Sequence, residues 1–159
     1  MNIKKNFLFL VFIFLMTACN DNKIYKQFQE LAKFQWEKNK VLDYKMPIAD
    51  NNKNYLLGTS LRFLASVTHS SIKINLKMTA PSGKVELTKS YDVIIRNEKG
   101  IDGSVMGDIA DVDKPLEETI KFAEKGDYKI EITHNMAATE ILNGVQSVGI
   151  FLEDKDKKK

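Results

Sequence analysis

Cysteine is almost missing from this chain of 159 residues: Cys19 is the only one. A lone thiol closes no intramolecular disulfide, so the fold must stand on its core. Histidine is nearly as scarce, with only His69 and His134, and neither has a second ligand at zinc-like spacing. Long apolar runs are also lacking. The longest, Phe7 to Met16, is shorter than the ~20 residues of a membrane-spanning helix. No stretch interleaves aromatics with basic residues, which argues against a nucleic-acid face. The formal net charge of +3 is small, and part of it lies in the terminal "EDKDKKK", read as a solvated end. No internal repeat or low-complexity linker divides the chain.

What is present begins at the N-terminus. Lys4 and Lys5 precede the apolar run, which ends in "LMTAC" with Ala18 as the small residue before Cys19. This has the build of a signal peptide and resembles a bacterial lipoprotein box, in which the cysteine sulfur takes diacylglycerol and cleavage falls just before it. The competing reading is a plain secretory signal with an incidental cysteine. Lipidation at Cys19 accounts for the leftover thiol, and two or more acyl chains anchor stably at ~0.8 kcal/mol per methylene. The expected layout is a signal peptide over 1–18, a lipid-anchored spacer over 19–23, one domain over 24–153 and a basic, disordered tail over 154–159.

Alternation with period two fills that domain. Leu42, Tyr44, Met46 and Ile48 form one face, with Pro47 marking an edge strand. Leu57, Thr59, Leu61 and Phe63 follow, then Ile72, Ile74, Leu76 and Met78. After the turn "TAPSGK" come Val85, Leu87, Tyr91, Val93 and Ile95, with Lys89 interrupting the row. Tyr128, Ile130 and Ile132, then Val148, Ile150 and Leu152, complete the set. Short strands separated by turn signals predict an all-β fold, a single antiparallel β-sandwich. The segment from Lys23 to Lys38 is the exception: Ile24, Phe28 and Leu31 fit helical spacing as well, so a short helix is expected at its start. Trp36 reads as core cover.

"GSVMGDIADVDKP", residues 103 to 115, fits neither helix nor strand by composition. Asp108, Asp111 and Asp113 are weak candidates for Ca²⁺, since the spacing of an EF-hand is absent. An ordered structural loop is the simpler reading, with Gly103 and Gly107 supplying φ > 0 and Pro115 restricting the residue before it. His134 ends the apolar row of a strand and reads as structural. A catalytic triple of Ser104, Asp108 and His134 can be drawn, but no nucleophile elbow supports it, and a non-enzyme is expected.

Taken in order, "GSVMGDIADVDKP", "IKFAEKGDYKIEITHNM" and "LNGVQSVGIFLE" resemble the gliding-motility lipoprotein family GldH of the Bacteroidota. The matching positions are Gly107, Asp108 and Ile109; Phe122, Gly126 and Tyr128; His134 and Met136; and Gly144, Val145, Val148 and Gly149. Ala137 stands where the family usually has Arg, and "ASVTHS" replaces an aromatic segment. The resemblance implies a β-sandwich lipoprotein of the cell envelope, lipid-anchored at the outer membrane. It implies a non-catalytic subunit or assembly factor for gliding and for type IX secretion, with other envelope proteins as partners. Neither a cofactor nor a small-molecule substrate is implied. The alternative is an envelope module binding glycan or peptide, which calls for exposed aromatics among Tyr25, Trp36, Tyr44 and Tyr55. Gly107, Asp108, Ile109, His134, Met136 and Gly144 are the expected partner-contact motif, with the 103–115 and 137–144 segments meeting at one end. Asp111 and Glu140 are read as exposed there.

Overall fold

The computed structural model describes residues 23–157; Cys19, the leader and most of the spacer lie outside them. Thirteen strands run in chain order through the described residues: β1 (Lys23–Glu30), β2 (Gln35–Glu37), β3 (Leu42–Ile48), β4 (Tyr55–Leu64), β5 (Ser71–Thr79), β6 (Val85–Ile94), β7 (Arg96–Asn97), β8 (Gly100–Ile101), β9 (Ser104–Met106), β10 (Ile109–Ile120), β11 (Gly126–His134), β12 (Ile141–Asn143) and β13 (Val145–Asp154). A five-stranded sheet has the order β1-β13-β4-β10-β9, and a four-stranded sheet has the order β3-β11-β5-β6. The pairs β12-β2 and β7-β8 stand apart from both.

Pairing is antiparallel and nested. β1 pairs with β13, β3 with β11, β4 with β10, and β5 with β6. The chain is therefore one long antiparallel ribbon, closed at the β5–β6 turn and rolled so that β13 also meets β4 and β11 also meets β5. That is the jelly-roll form of the expected sandwich. Its first and last strands are neighbours, so the five-stranded sheet is incomplete until the C-terminal strand is in place.

The core lies between the sheets, where the alternating rows meet. Leu57, Ile74, Leu76, Tyr128, Ile130, Ile132, Val148, Ile150 and Leu152 are fully buried, as are Phe63 and Met46. Tyr44 spans the layers and donates its hydroxyl proton to the Val148 carbonyl at 2.8 Å. Pro47 sits on β3, an edge strand as expected. Lys89 is explained by the opposite edge. It reaches from β6 to the Glu117 carboxylate of β10 at 2.6 Å, and the Tyr91 hydroxyl donates to the same oxygen at 2.6 Å. A charge pointing inward on an edge strand bridges the two layers and discourages pairing with another chain.

Three expectations are corrected. Residues from Lys23 onward form strand β1, not a short helix: Ile24 and Phe28 are four apart, a spacing that serves a helix and a strand alike. Only a single 3-10 turn follows, Ala32–Phe34. The segment 103–115 is not a loop but a hairpin, β9 and the start of β10 joined at Gly107–Asp108, with Ala110 and Val112 facing the core. Gly107 has φ of +60°, whereas Gly103 matters because a Cβ there would lie 2.1 Å from the Asp111 carbonyl oxygen. The basic tail begins later than expected. Asp154 is buried and receives Lys53 at 2.6 Å, and the Lys155 N–H donates to the Asn54 carbonyl at 3.0 Å.

Candidate functional site

Lys23, Tyr55 and Asp154 mark one end of the sandwich, since Lys23 pairs with Glu153 and Tyr55 with Asp154. Tyr55, Phe122 and Tyr128 close the core there, with edge-to-face rings at 5.6 and 4.9 Å. The six expected contact residues gather at the other end. The last residue of β4 and the one after it hold two of the segments: the Leu64 N–H donates to the Gly144 carbonyl, and the Ala65 N–H to the Asp108 carbonyl, both at 2.8 Å. Gly144 in turn donates its N–H to the Phe34 carbonyl at 2.7 Å. Gly144 needs φ of +88°, and Lys33 and Phe34 hold φ of +56° and +55° without being glycine. Consecutive left-handed residues of this kind cost about 1–2 kcal/mol each, so the surrounding bonds must hold them.

His134 and Met136 complete that end from the other sheet. His134 is 2% exposed and meets Trp36 edge-on at 5.4 Å. Its Nδ1 accepts the Met136 N–H at 3.4 Å, while Nε2 has no hydrogen bond of normal geometry. Met136 is half-buried, and its sulfur faces the Lys73 N–H at 3.4 Å. The Ser104, Asp108 and His134 triple is not assembled. Ser104 and Asp108 are exposed on the hairpin, and His134 is enclosed between the layers.

Burial pushes the His134 imidazole below its ordinary value. The backbone of Trp36 and Glu140 pulls upward and the Lys38 charge adds to the depression, without reversing it. A group that charges less readily when folded contributes stability above its unfolded pKa of about 6.5. That contribution is lost as pH falls through 6.5 towards the folded value. Thermal melts between pH 7.5 and 5 should therefore show a falling Tm, and His134→Gln should flatten the fall. An identical slope in the variant would assign the acid sensitivity elsewhere.

The two aspartates that follow in β10 lie on the outer face of the five-stranded sheet. Asp111 receives Arg62 of β4 through Nε at 2.7 Å and Nη2 at 3.2 Å, so it is half-buried and paired rather than simply exposed. Asp113 receives Lys23 at 3.0 Å and Lys26 at 3.1 Å. Burial alone would raise the Asp113 carboxyl, but Ser60 and the two lysines hold it below the usual carboxylate range. Ser60 lies near enough to act on that charge, yet its hydroxyl makes no hydrogen bond of normal geometry. The three candidate calcium ligands are thus not brought together: two are engaged by cations, and Asp108 is out at the turn.

Between β1 and the 102–104 segment, this face sinks into a groove of about 550 Å³. Ser60, Gly103 and Ser104 are the small residues that line it, and other small residues in strand interiors of the same face are covered by rings. Phe151 lies on Gly58, where a Cβ would meet the ring at 2.1 Å, and Phe28 lies on Gly149, at 2.7 Å. Ser60 and Ser147 are the remaining small positions, 2% and 1% exposed. Sequence reading missed Phe28, Phe151, Ser60 and Arg62 as a group. Glycine inside a strand, which marks close approach of another group, was the available signal. The aromatics that a binding module was expected to expose are instead core: Trp36, Tyr44 and Tyr55 are buried and Tyr25 packs against them.

Among the described residues no helix is long and apolar enough to cross a membrane. A "Gliding motility lipoprotein GldH homolog" of Christiangramia forsetii is 26% identical, across 94% of this chain and 95% of that one. The "Gliding motility lipoprotein GldH" of Flavobacterium johnsoniae is 25% identical, across 98% and 100%. A solved family GH115 4-O-methyl-alpha-glucuronidase superposes at a TM-score of 0.44 with 10% identity, over 87% of this chain and 18% of that one, and nothing is built on so loose a likeness. The family model for the GldH lipoprotein matches residues 23–152, from the first strand of the jelly roll into its last, and the chain belongs to that family.

Proposed function

We propose that this protein is a non-catalytic, lipid-anchored subunit or assembly factor of a gliding and type IX secretion apparatus, held at the outer membrane. Its relatives' names support the lipoprotein and gliding parts of that reading. One observation carries the docking part. The end of β4 that holds Asp108 and Gly144 lies opposite the end that holds Lys23. Cys19 is four residues before Lys23, a reach of at most ~14 Å. The ten residues of β4 span roughly 30 Å at ~3.3 Å each. A lipid on Cys19 therefore keeps the first end near the bilayer and lifts the second end away from it, towards a protein partner. Loops and turns on a rigid β scaffold are where such contacts sit.

The exposed positions that test this are Asp108 and Glu140, the latter 79% exposed with Lys38 at 3.3 Å, because Asp111 is half-buried against Arg62. Asp108→Lys and Glu140→Lys should fold, reach the membrane and lose a protein that co-purifies with the cross-linked wild type. Retention of every partner by both variants would refute docking at this end. Cys19→Ala should move the folded protein to the soluble fraction. Persistence in membranes through high-salt washing would show that acylation is not the tether.

A further inference from the structure

We propose that the groove on the outer face of the five-stranded sheet is a binding site for a neutral carbohydrate. The groove shares the 103–115 hairpin with the docking end, but Asp108 and Glu140, which test that end, do not line it.

The outer face of an antiparallel sheet usually carries solvated side chains on a flat surface. Here it is hollowed, and the hollow has a built floor. Ser60 lines it, almost completely buried and without a hydrogen-bond partner of normal geometry. Buried hydroxyls are normally satisfied, so an orphaned one in a groove points to a missing polar partner.

The charges of the walls select the chemistry. Lys26 and Arg62 face Asp102, Asp111 and Asp113 across it, and every one of these carboxylates already has a cation: Arg62 on Asp111, Lys23 and Lys26 on Asp113, and Lys114 on Asp102. An anionic or cationic ligand would have to break one of those pairs. A neutral one need not. Fixed carboxylates beside a fixed guanidinium offer acceptors and donors next to one another, an arrangement that suits vicinal hydroxyls. Phe28, 38% exposed at the β1 rim with Lys26 over its ring at 5.1 Å, adds an apolar edge against which the C–H groups of a sugar ring can rest. The volume is that of a small-ligand site.

The test uses the lipidated full chain in a micelle of a sugar-free amine-oxide detergent, with mannotetraose and the N-acetylglucosamine tetramer as probes. In ¹⁵N spectra, at least one probe at up to ~10 mM should give saturable shifts at Ser60, Arg62, Ser104 and Asp111. Phe28→Ala should weaken that binding by about tenfold or more. Ser104→Tyr, a change at an exposed rim position, should block the groove without touching the core. Either variant whose spectrum keeps its dispersion suffices. No saturable shift with either probe, shifts unaltered in the folded variants, or tighter binding at these residues by glucose 6-phosphate or a tetrapeptide than by the neutral sugars would each overturn the proposal.

Discussion

Gly144→Val should lower unfolding free energy by roughly 3 kcal/mol or more, the sum of left-handed strain and overpacking. Two separate demands meet at this residue. Its φ of +88° is one that a β-branched side chain resists, and a Cβ there would lie 2.5 Å from Val67 Cγ2. Relief by movement is blocked on both sides, because its carbonyl is tied to Leu64 and its N–H to Phe34. Gly107 provides the control. Its φ of +60° carries the same strain but nothing lies within 4 Å of a Cβ, so Gly107→Val should cost only about 1–2 kcal/mol. Urea unfolding of both variants checks the ranking. Equal losses would mean that packing against Val67 contributes nothing, and a neutral Gly144→Val would show that the knot between β4, the 3-10 turn and β13 yields.

Trp36→Ala should be the costliest single truncation, about 3–5 kcal/mol. The ring is fully buried, its Nε1–H donates to the Lys40 carbonyl at 3.2 Å, and it closes the core against His134. It also pins the β2–β12 pair, where it stands opposite Leu142. The loss should carry a second signature. Water entering the vacated space relieves the burial that depresses His134, so its pKa should return towards the usual histidine value. NMR titration of the imidazole in the variant reads this directly. A marginal stability loss with an unmoved His134 would mean that the neighbouring segments collapse into the cavity and that Trp36 is replaceable cover.

Legibility followed which groups had to act alone and which acted through a neighbour. The rows at Tyr44, Ile74 and Ile130 were readable because one face of each strand is buried and the other wet. β1 was misread as helical because Ile24 and Phe28 both face outward and Tyr25 faces inward, so its apolar residues occupy both sides. The hairpin at β9 and β10 was hidden for another reason. Aspartate is poor in strands, and Asp111 and Asp113 are tolerated only because Arg62 and two lysines come from other strands to meet them. Lys89 looked like a fault in a core row until Glu117 appeared across the sandwich.

Sequence alone therefore determined the class of the protein: the all-β period, the core residues, and an ordered set of short motifs that matched a family. These depend on local spacing, which a linear text records. Only the tertiary structure decided the nested order of strands, the placing of the Asp108, His134 and Gly144 end opposite Lys23, and the groove over Ser60. Each of those depends on pairings between residues tens of positions apart, such as Phe28 with Gly149. Such partners are chosen by mutual fit and charge across the folded sheet, and neither partner carries a local mark of the other.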